Sequence, residues 1–384
     1  MAIEVRHVLA STQAILPLER FGVKELEEIR LILRGGSVID WRRLNFRTRE
    51  EVDAFLRLCL FRPGEPADEA RMRAILAEAV DYLRSVFRYR VADVVAEPES
   101  IHDLFLIASD VGPNRRWRRI ACIVLKVMHT IFHTDSREVL HRLPIASETL
   151  AKIVDERVRN WAASLRESGA PVVDFTGSVK SRESTITKLL AKRESVATQI
   201  FDKVRYRIIT KEKCDVLSVM NHLTTHLVPF NLVVPAQTEN TLISFRGLIE
   251  SNPRLEELVP QLQFDPYEAT ELEWEKKKGK VNEFSGKTYR VLNFITDVPV
   301  RLDEFQREIG AIGRLEPAIV FVPVEFQILD QETAIQNETG ENSHERYKRR
   351  QQLRVLRRLS RGLVVPRRLG RAGSDAAADD AQEK

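Results

Sequence analysis

The chain of 384 residues is long enough for two ordinary domains, and at 43% hydrophobic and 30% charged it has the composition of a globular protein, which excludes a disordered one. Its three cysteines, Cys59, Cys122 and Cys214, are odd in number and far apart, which argues against a disulfide framework or a Cys-rich zinc site and fits a reducing compartment. The opening residues MAIEVRHVLAST carry charges where a signal peptide needs an apolar run, and the most apolar stretch, Ile120 to Phe132, is too short for a bilayer and contains Lys126; the expected location is the cytoplasm.

Residues 19 to 165 read as mostly helical. VKELEEIRLILRG, EEVDAFLRLCLF and ADEARMRAILAEAVDYLRSVFRY place apolar residues at helical spacing, and Gly35-Gly36, Pro63-Gly64 and Gly112-Pro113 punctuate them as turns. His129 and His133 lie four apart near Asp135, but two histidines on an apolar helix are more often packed than metal-ligating. Near Gly169 the pattern changes. The runs VRYRIIT, FNLVV, YRVLNFI and AIVFVPVEFQIL have strand length and alternate with helical stretches, including the one that carries His222 and His226, read as structural residues. The expected architecture is therefore a helical N-terminal domain, 1–165, followed by an α/β (α+β) domain with a mixed sheet flanked by helices, 166–350, and a basic tail, 351–384, that ends in a small acidic segment.

Four pieces of the second domain carry chemistry. In GSVKSRESTITKLLAK, residues 177 to 192, Ser181 is a helix N-cap candidate, and Lys180, Ser184 and Lys188 recur every four residues on one helical face, a pattern suited to oligophosphate and equally to a solvated basic surface. In IFDKVRYRIIT, Asp202 precedes a strand whose Arg205 and Arg207 share one face while Val204, Tyr206 and Ile208 share the other. A carboxylate there can hold magnesium beside phosphates, or the run can be an edge strand with a charged outer face. In KTYRVLNFITDV, Tyr289 and Asn293 fall on one side of a strand, a ring for stacking beside an amide. In AIVFVPVEFQILD, one parity is wholly apolar, and the other carries Glu325 and Gln327. An acid in the middle of such a run requires a metal, a cation or a hydrogen bond.

Taken in order, these pieces resemble the synthetase domain of the RelA/SpoT alarmone synthetases over residues 170 to 350. The family's Lys-x3-Ser-x3-Lys helix is matched by Lys180, Ser184 and Lys188, its Asp-x4-Arg strand by Asp202 and Arg207, and its Tyr-Arg-x-Leu strand by Tyr289, Arg290 and Leu292. Its Glu-x-Gln-Ile strand is matched by Glu325, Gln327 and Ile328, and its closing His-x-Arg-Tyr-Lys helix by His344, Arg346, Tyr347 and Lys348.

The resemblance implies a nucleotidyltransferase-like fold and Mg2+-dependent transfer of pyrophosphate from ATP to the 3′-hydroxyl of GDP or GTP. Under it, Lys180, Ser184 and Lys188 hold the ATP phosphates, Asp202 and Glu325 bind metal, and Arg207 lies near the phosphates. Tyr289 stacks on the acceptor base, Glu325 helps bind the metal or activates the attacking hydroxyl with Gln327 orienting it, and Arg290, Asn293, His344 and Lys348 complete the nucleotide site. The chain departs from the family at Ser178, Lys287, Asn293 and Leu329, and its Tyr289 and Glu325 stand 36 positions apart, farther than the family's hairpin allows. These changes touch the nucleoside contacts. Two alternatives therefore stand beside alarmone synthesis: transfer to an RNA 3′ end such as that of tRNA, and a catalytically inactive nucleotide- or RNA-binding module on the same fold. The arginines between 346 and 371, with no acid among them, fit RNA or an acidic membrane surface, and equally a packed C-terminal helix.

Overall fold

The computed structural model describes residues 14–35, 44–142, 145–179, 182–191, 204–262, 288–305, 318–339 and 344–359. Its first half is a layer of helices: α1 (Val23–Leu33), α2 (Arg49–Leu58), α3 (Pro66–Val86), α4 (Asp93–Ala96), α5 (Ile101–Ala108), α6 (Arg118–Arg142) and α7 (Ser147–Glu167). Their starts follow local chemistry. Thr48 accepts the Glu51 N–H at the head of α2, Ser100 and Asp103 form a reciprocal capping box on α5, and Pro66 opens α3, where its missing N–H costs nothing. The rings of Phe46, Phe55 and Phe105 meet at 5.3 to 5.8 Å in the core of this layer, Phe46 edge to face with both of the others. Among the described residues no helix is long and apolar enough to cross a membrane.

The second half supplies a five-stranded mixed sheet in the order β1-β2-β5-β4-β3, where β1 is Val172–Val179, β2 Val204–Thr210, β3 Glu239–Asn240, β4 Leu292–Arg301 and β5 Ile319–Asp330. Central β5 runs parallel to β2 and antiparallel to β4. Around it stand α8 (Arg182–Ala191), α9 (Asp215–His226), α10 (Phe245–Glu250), α11 (Pro253–Glu256), α12 (Gln331–Glu338) and α13 (His344–Leu359), the last packed on α8. The mixed sheet flanked by helices, with helices before it, is the architecture the sequence led us to expect.

Both faces of the sheet are covered, because side chains alternate along each strand. Val320, Val324, Phe326 and Ile328 of β5, with Tyr206 of β2 and Phe294 of β4, form the buried face that meets α7 and α9; Trp161 of α7 packs edge-on against Phe326 at 6.2 Å. On the other face, at the start of β5, α6 settles onto Phe321. The Phe132 ring meets it edge to face at 5.0 Å, the His133 ring stacks on it at 4.3 Å, and the Phe321 N–H donates to Ser136 Oγ at 3.0 Å. Arg157 of α7 ties several elements together: its guanidinium donates to the carbonyls of Pro299 at 2.6 Å, Leu227 at 3.0 Å and Leu58 at 3.4 Å. The apolar core is continuous from the N-terminal helices to the sheet.

Two strand expectations are corrected. FNLVV is not a strand: Phe230–Leu232 forms a 3₁₀ turn, and only Val233 bridges to Thr296, because Pro229 fixes the entry dihedral and Pro235 lacks the donor a ladder needs. The strand expected to begin at Tyr289 begins at Leu292, so Tyr289 and Asn293 do not share a strand face. Strand β1 was not anticipated. None of its residues is buried, and it pairs only with β2, as an edge strand does.

Candidate active site

On the α6-facing side of the sheet, farther along β5 than Phe321, a polar cluster is built around Glu325. Strand register determines its composition. Glu325 lies on the central strand and is 3% exposed. Its register partner on β2 is Arg205, so the guanidinium has only one strand to cross. Arg205 Nε donates to Glu325 Oε2 at 2.8 Å, and an Arg205 terminal nitrogen donates to Oε1 at 3.1 Å, a bidentate fork. On the other flank, Asn293 is the register partner of Gln327 and reaches diagonally, its Nδ2 donating to Glu325 Oε1 at 2.8 Å. Gln327 Nε2 approaches the same oxygen at 3.3 Å. Oε1 thus receives three donors and Oε2 one.

The amide of Asn293 is only half used. Its Oδ1 is buried without a hydrogen-bond partner, an acceptor left over beside the carboxylate. Arg207, next but one along β2, donates to Glu338 Oε1 of α12 at 2.8 Å. Tyr289 joins from the segment before β4. Burial is the main cause that raises its phenol pKa, the Arg207 and Arg205 charges oppose that, and Glu239 and Glu325 add to it, which puts the ring within electrostatic reach of the whole cluster. The backbone of Arg290 is pinned on both sides by Asn337, which accepts from its N–H at 3.1 Å and donates to its carbonyl at 2.6 Å, while its guanidinium donates to the Tyr289 carbonyl at 3.1 Å.

Among the residues expected from sequence, Glu325, Gln327, Asn293, Arg207 and Tyr289 therefore gather at one sheet face. Ser184 is exposed on α8, and Lys348 is exposed on α13, which packs on that helix. Lys180, Asp202 and the proposed cap Ser181 lie outside the described residues, as do the side chains of Lys188 and His344. Ser178 faces Arg205 across the β1–β2 ladder. Arg205, Glu239 and Asn337 were not named as site residues. For Arg205 a signal existed, since it shares a strand face with Arg207; for Asn337, on α12, there was none.

Among the described residues, no three His, Cys, Asp or Glu side chains stand close enough to ligate a metal. A magnesium ion needs fewer, since it takes one or two carboxylates and fills its other positions with water and phosphate. Glu325 fits that role through the remaining lone pair on Oε2. His129 and His133 are not such a site either. Their rings lie 4.3 Å apart, burial pushes them down to about 3 and about 4, and His133 Nδ1 stands 3.6 Å from Asp297 Oδ2, too far for a hydrogen bond.

No protein-family model matches this chain, and no curated protein does. Solved structures similar to it include the small alarmone synthetase 1 of Bacillus subtilis, at 13% identity and a TM-score of 0.29, over 55% of this chain and 86% of that one. The small alarmone synthetase 2 of the same organism is similar at 16% identity and a TM-score of 0.27, over 54% and 91%. A GTP pyrophosphokinase family protein of Streptococcus pneumoniae is similar at 14% identity and 0.28, over 54% and 80%.

Proposed function

We propose that the chain is a magnesium-dependent pyrophosphokinase that transfers the β,γ-pyrophosphate of ATP to the 3′-hydroxyl of GDP or GTP and releases AMP. The observation that carries this reading is a carboxylate buried mid-sheet, held by Arg205, Asn293 and Gln327, beside Arg207 and an aromatic ring. Such transfer asks a protein mainly for positioning and for charge neutralisation. Tyr289 offers its face to the acceptor base. Asn293 Oδ1 accepts a hydrogen bond from the acceptor nucleotide, and Gln327 orients the attacking hydroxyl, whose proton passes to solvent. Arg207 leaves the exposed Glu338 for the transferred phosphates, and Lys180, Ser184 and Lys188 hold the remainder of ATP. Glu325 and Asp202 hold the magnesium ion, which neutralises phosphate charge when bound.

The test is incubation of the full chain with ATP, magnesium and, separately, GDP, GTP and bulk tRNA, with mass spectrometry of the products. The expected result is AMP together with an acceptor heavier by one pyrophosphate, and its loss in Glu325→Gln. Product on tRNA alone moves the acceptor to RNA. A second reading has its own observation: the fork from Arg205 already neutralises Glu325. Nucleotide binding without product in every arm selects that reading, an inactive binding module.

A further inference from the structure

On the side of the sheet that carries Phe326, helix α9 borders a cavity of about 220 Å³ that is also lined by Ala14, Ile15, Leu16 and Glu25. Two of the residues lining it are His222 and His226, whose rings stack at 4.1 Å with 12° between planes. Their hydrogen bonds make them chemical opposites. The indole nitrogen of Trp161 can only donate, and it donates to His222 Nδ1 at 3.1 Å. In the neutral ring the proton then belongs on Nε2. Burial, followed by the neighbouring His226, pushes the His222 pKa down to about 4, so this ring is neutral at physiological pH.

His226 Nδ1 lies 3.2 Å from the His222 carbonyl, which can only accept, and 2.8 Å from Thr225 Oγ1, whose own proton goes to the Asn221 carbonyl at 2.7 Å. The His226 proton therefore sits on Nδ1, and its Nε2 is a bare acceptor. Each ring has one nitrogen left: a donor on His222, an acceptor on His226. No protein group among the described residues meets either.

We infer that this cavity binds a small planar molecule whose edge carries an acceptor and a donor on neighbouring groups, as a carboxamide or a nucleobase does. The acceptor of the ligand meets His222 Nε2–H, and its donor meets His226 Nε2. His222 is 3% exposed and clamped by Trp161, so the donor is preorganised; His226 lies at the more open rim. The inference stands independently of the nucleotide-transfer proposal, because the two sites use different faces of the sheet.

The experiment uses the full chain with isotope-labelled histidine and long-range proton–nitrogen spectra at neutral pH. The expected spectrum shows His222 as the Nε2–H tautomer and His226 as the Nδ1–H tautomer. Titration with adenine and with benzamide, the two sources of this chemistry, should shift both imidazoles. Dimethylation of the adenine amino group, or acetophenone in place of benzamide, removes the donor and should weaken binding about tenfold or more. His226→Phe keeps the stack at an exposed position and should weaken adenine and benzamide to the same degree, while Glu325→Gln leaves both unaffected. A shift with adenine only assigns a nucleobase, and with benzamide only a carboxamide. Identical tautomers at the two histidines, no shift with either probe at millimolar concentration, or equal binding of the dimethylated and plain adenine would each overturn the inference.

Discussion

Glu325 lies where a charge is costly, and its neighbours decide the consequence. Removal of one member of a buried ion pair typically costs about 3–5 kcal/mol, because the survivor stays uncompensated. Arg205 retains some contact with water, its side chain 29% exposed against 5% for Glu325. The two deletions should therefore differ. Arg205→Ala strands a buried carboxylate and is expected to cost about 3 kcal/mol in urea unfolding, whereas Glu325→Gln, which leaves the half-hydrated guanidinium behind, should cost clearly less. Equal losses would mean that the guanidinium is as costly to strand as the carboxylate. Sequence revealed the acid, because a carboxylate in an apolar run is conspicuous. It did not reveal the donors. Asn293 looks like a departure from a motif, yet its amide grips Glu325, and only strand register, which no local pattern encodes, brings the two together.

The helices were readable because their apolar stripes and caps are local, whereas β1 was not, since an edge strand with one pairing partner needs no apolar alternation. Gly177 explains how closely that edge is fitted. It lies opposite Tyr206, and a Cβ at that position would stand 2.9 Å from the Tyr206 ring. The ring cannot yield easily, because it is fully buried and its hydroxyl donates to Asp155 of α7 at 2.8 Å. Gly177→Ala is expected to destabilise the protein by about 1–3 kcal/mol through overpacking. A thermal unfolding midpoint equal to that of the unmodified chain would show that β1 gives way instead. The start of β4 was misplaced for a related reason: Tyr289 and Arg290 look like strand residues, but Asn337 and Thr241 engage the backbone there before the ladder begins.

Protons report on the whole molecule. Burial pushes His129 and His133 well below the ordinary histidine value of 6.5, to about 3 and about 4. Between 6.5 and those values the unfolded chain binds protons that the folded chain refuses, so stability falls as pH falls. Asp297 works in the opposite direction. Burial raises it from 3.8 to about 6, so the folded chain takes up that proton first and gains stability as pH falls through the same region. His222, held at about 4, acts with these two histidines, and Glu28, raised by burial to about 7, acts with Asp297. The three histidines outweigh the two acids, and the unfolding midpoint is expected to drop between pH 6.5 and pH 4. In His133→Gln the drop should be visibly shallower. Parallel curves would show that the α6–sheet junction admits water and leaves that imidazole at its ordinary value.

The same junction has a mechanical side. Ser136 accepts the main-chain N–H of Phe321, and four residues farther along that central strand stands Glu325. Every residue from Phe321 to Glu325 is paired with β4, and from Val324 onward with β2 as well, so the α6 contact and the carboxylate belong to one continuous ladder. The N-terminal helices thereby meet the strand that carries Glu325 through a main-chain anchor as well as through ring packing.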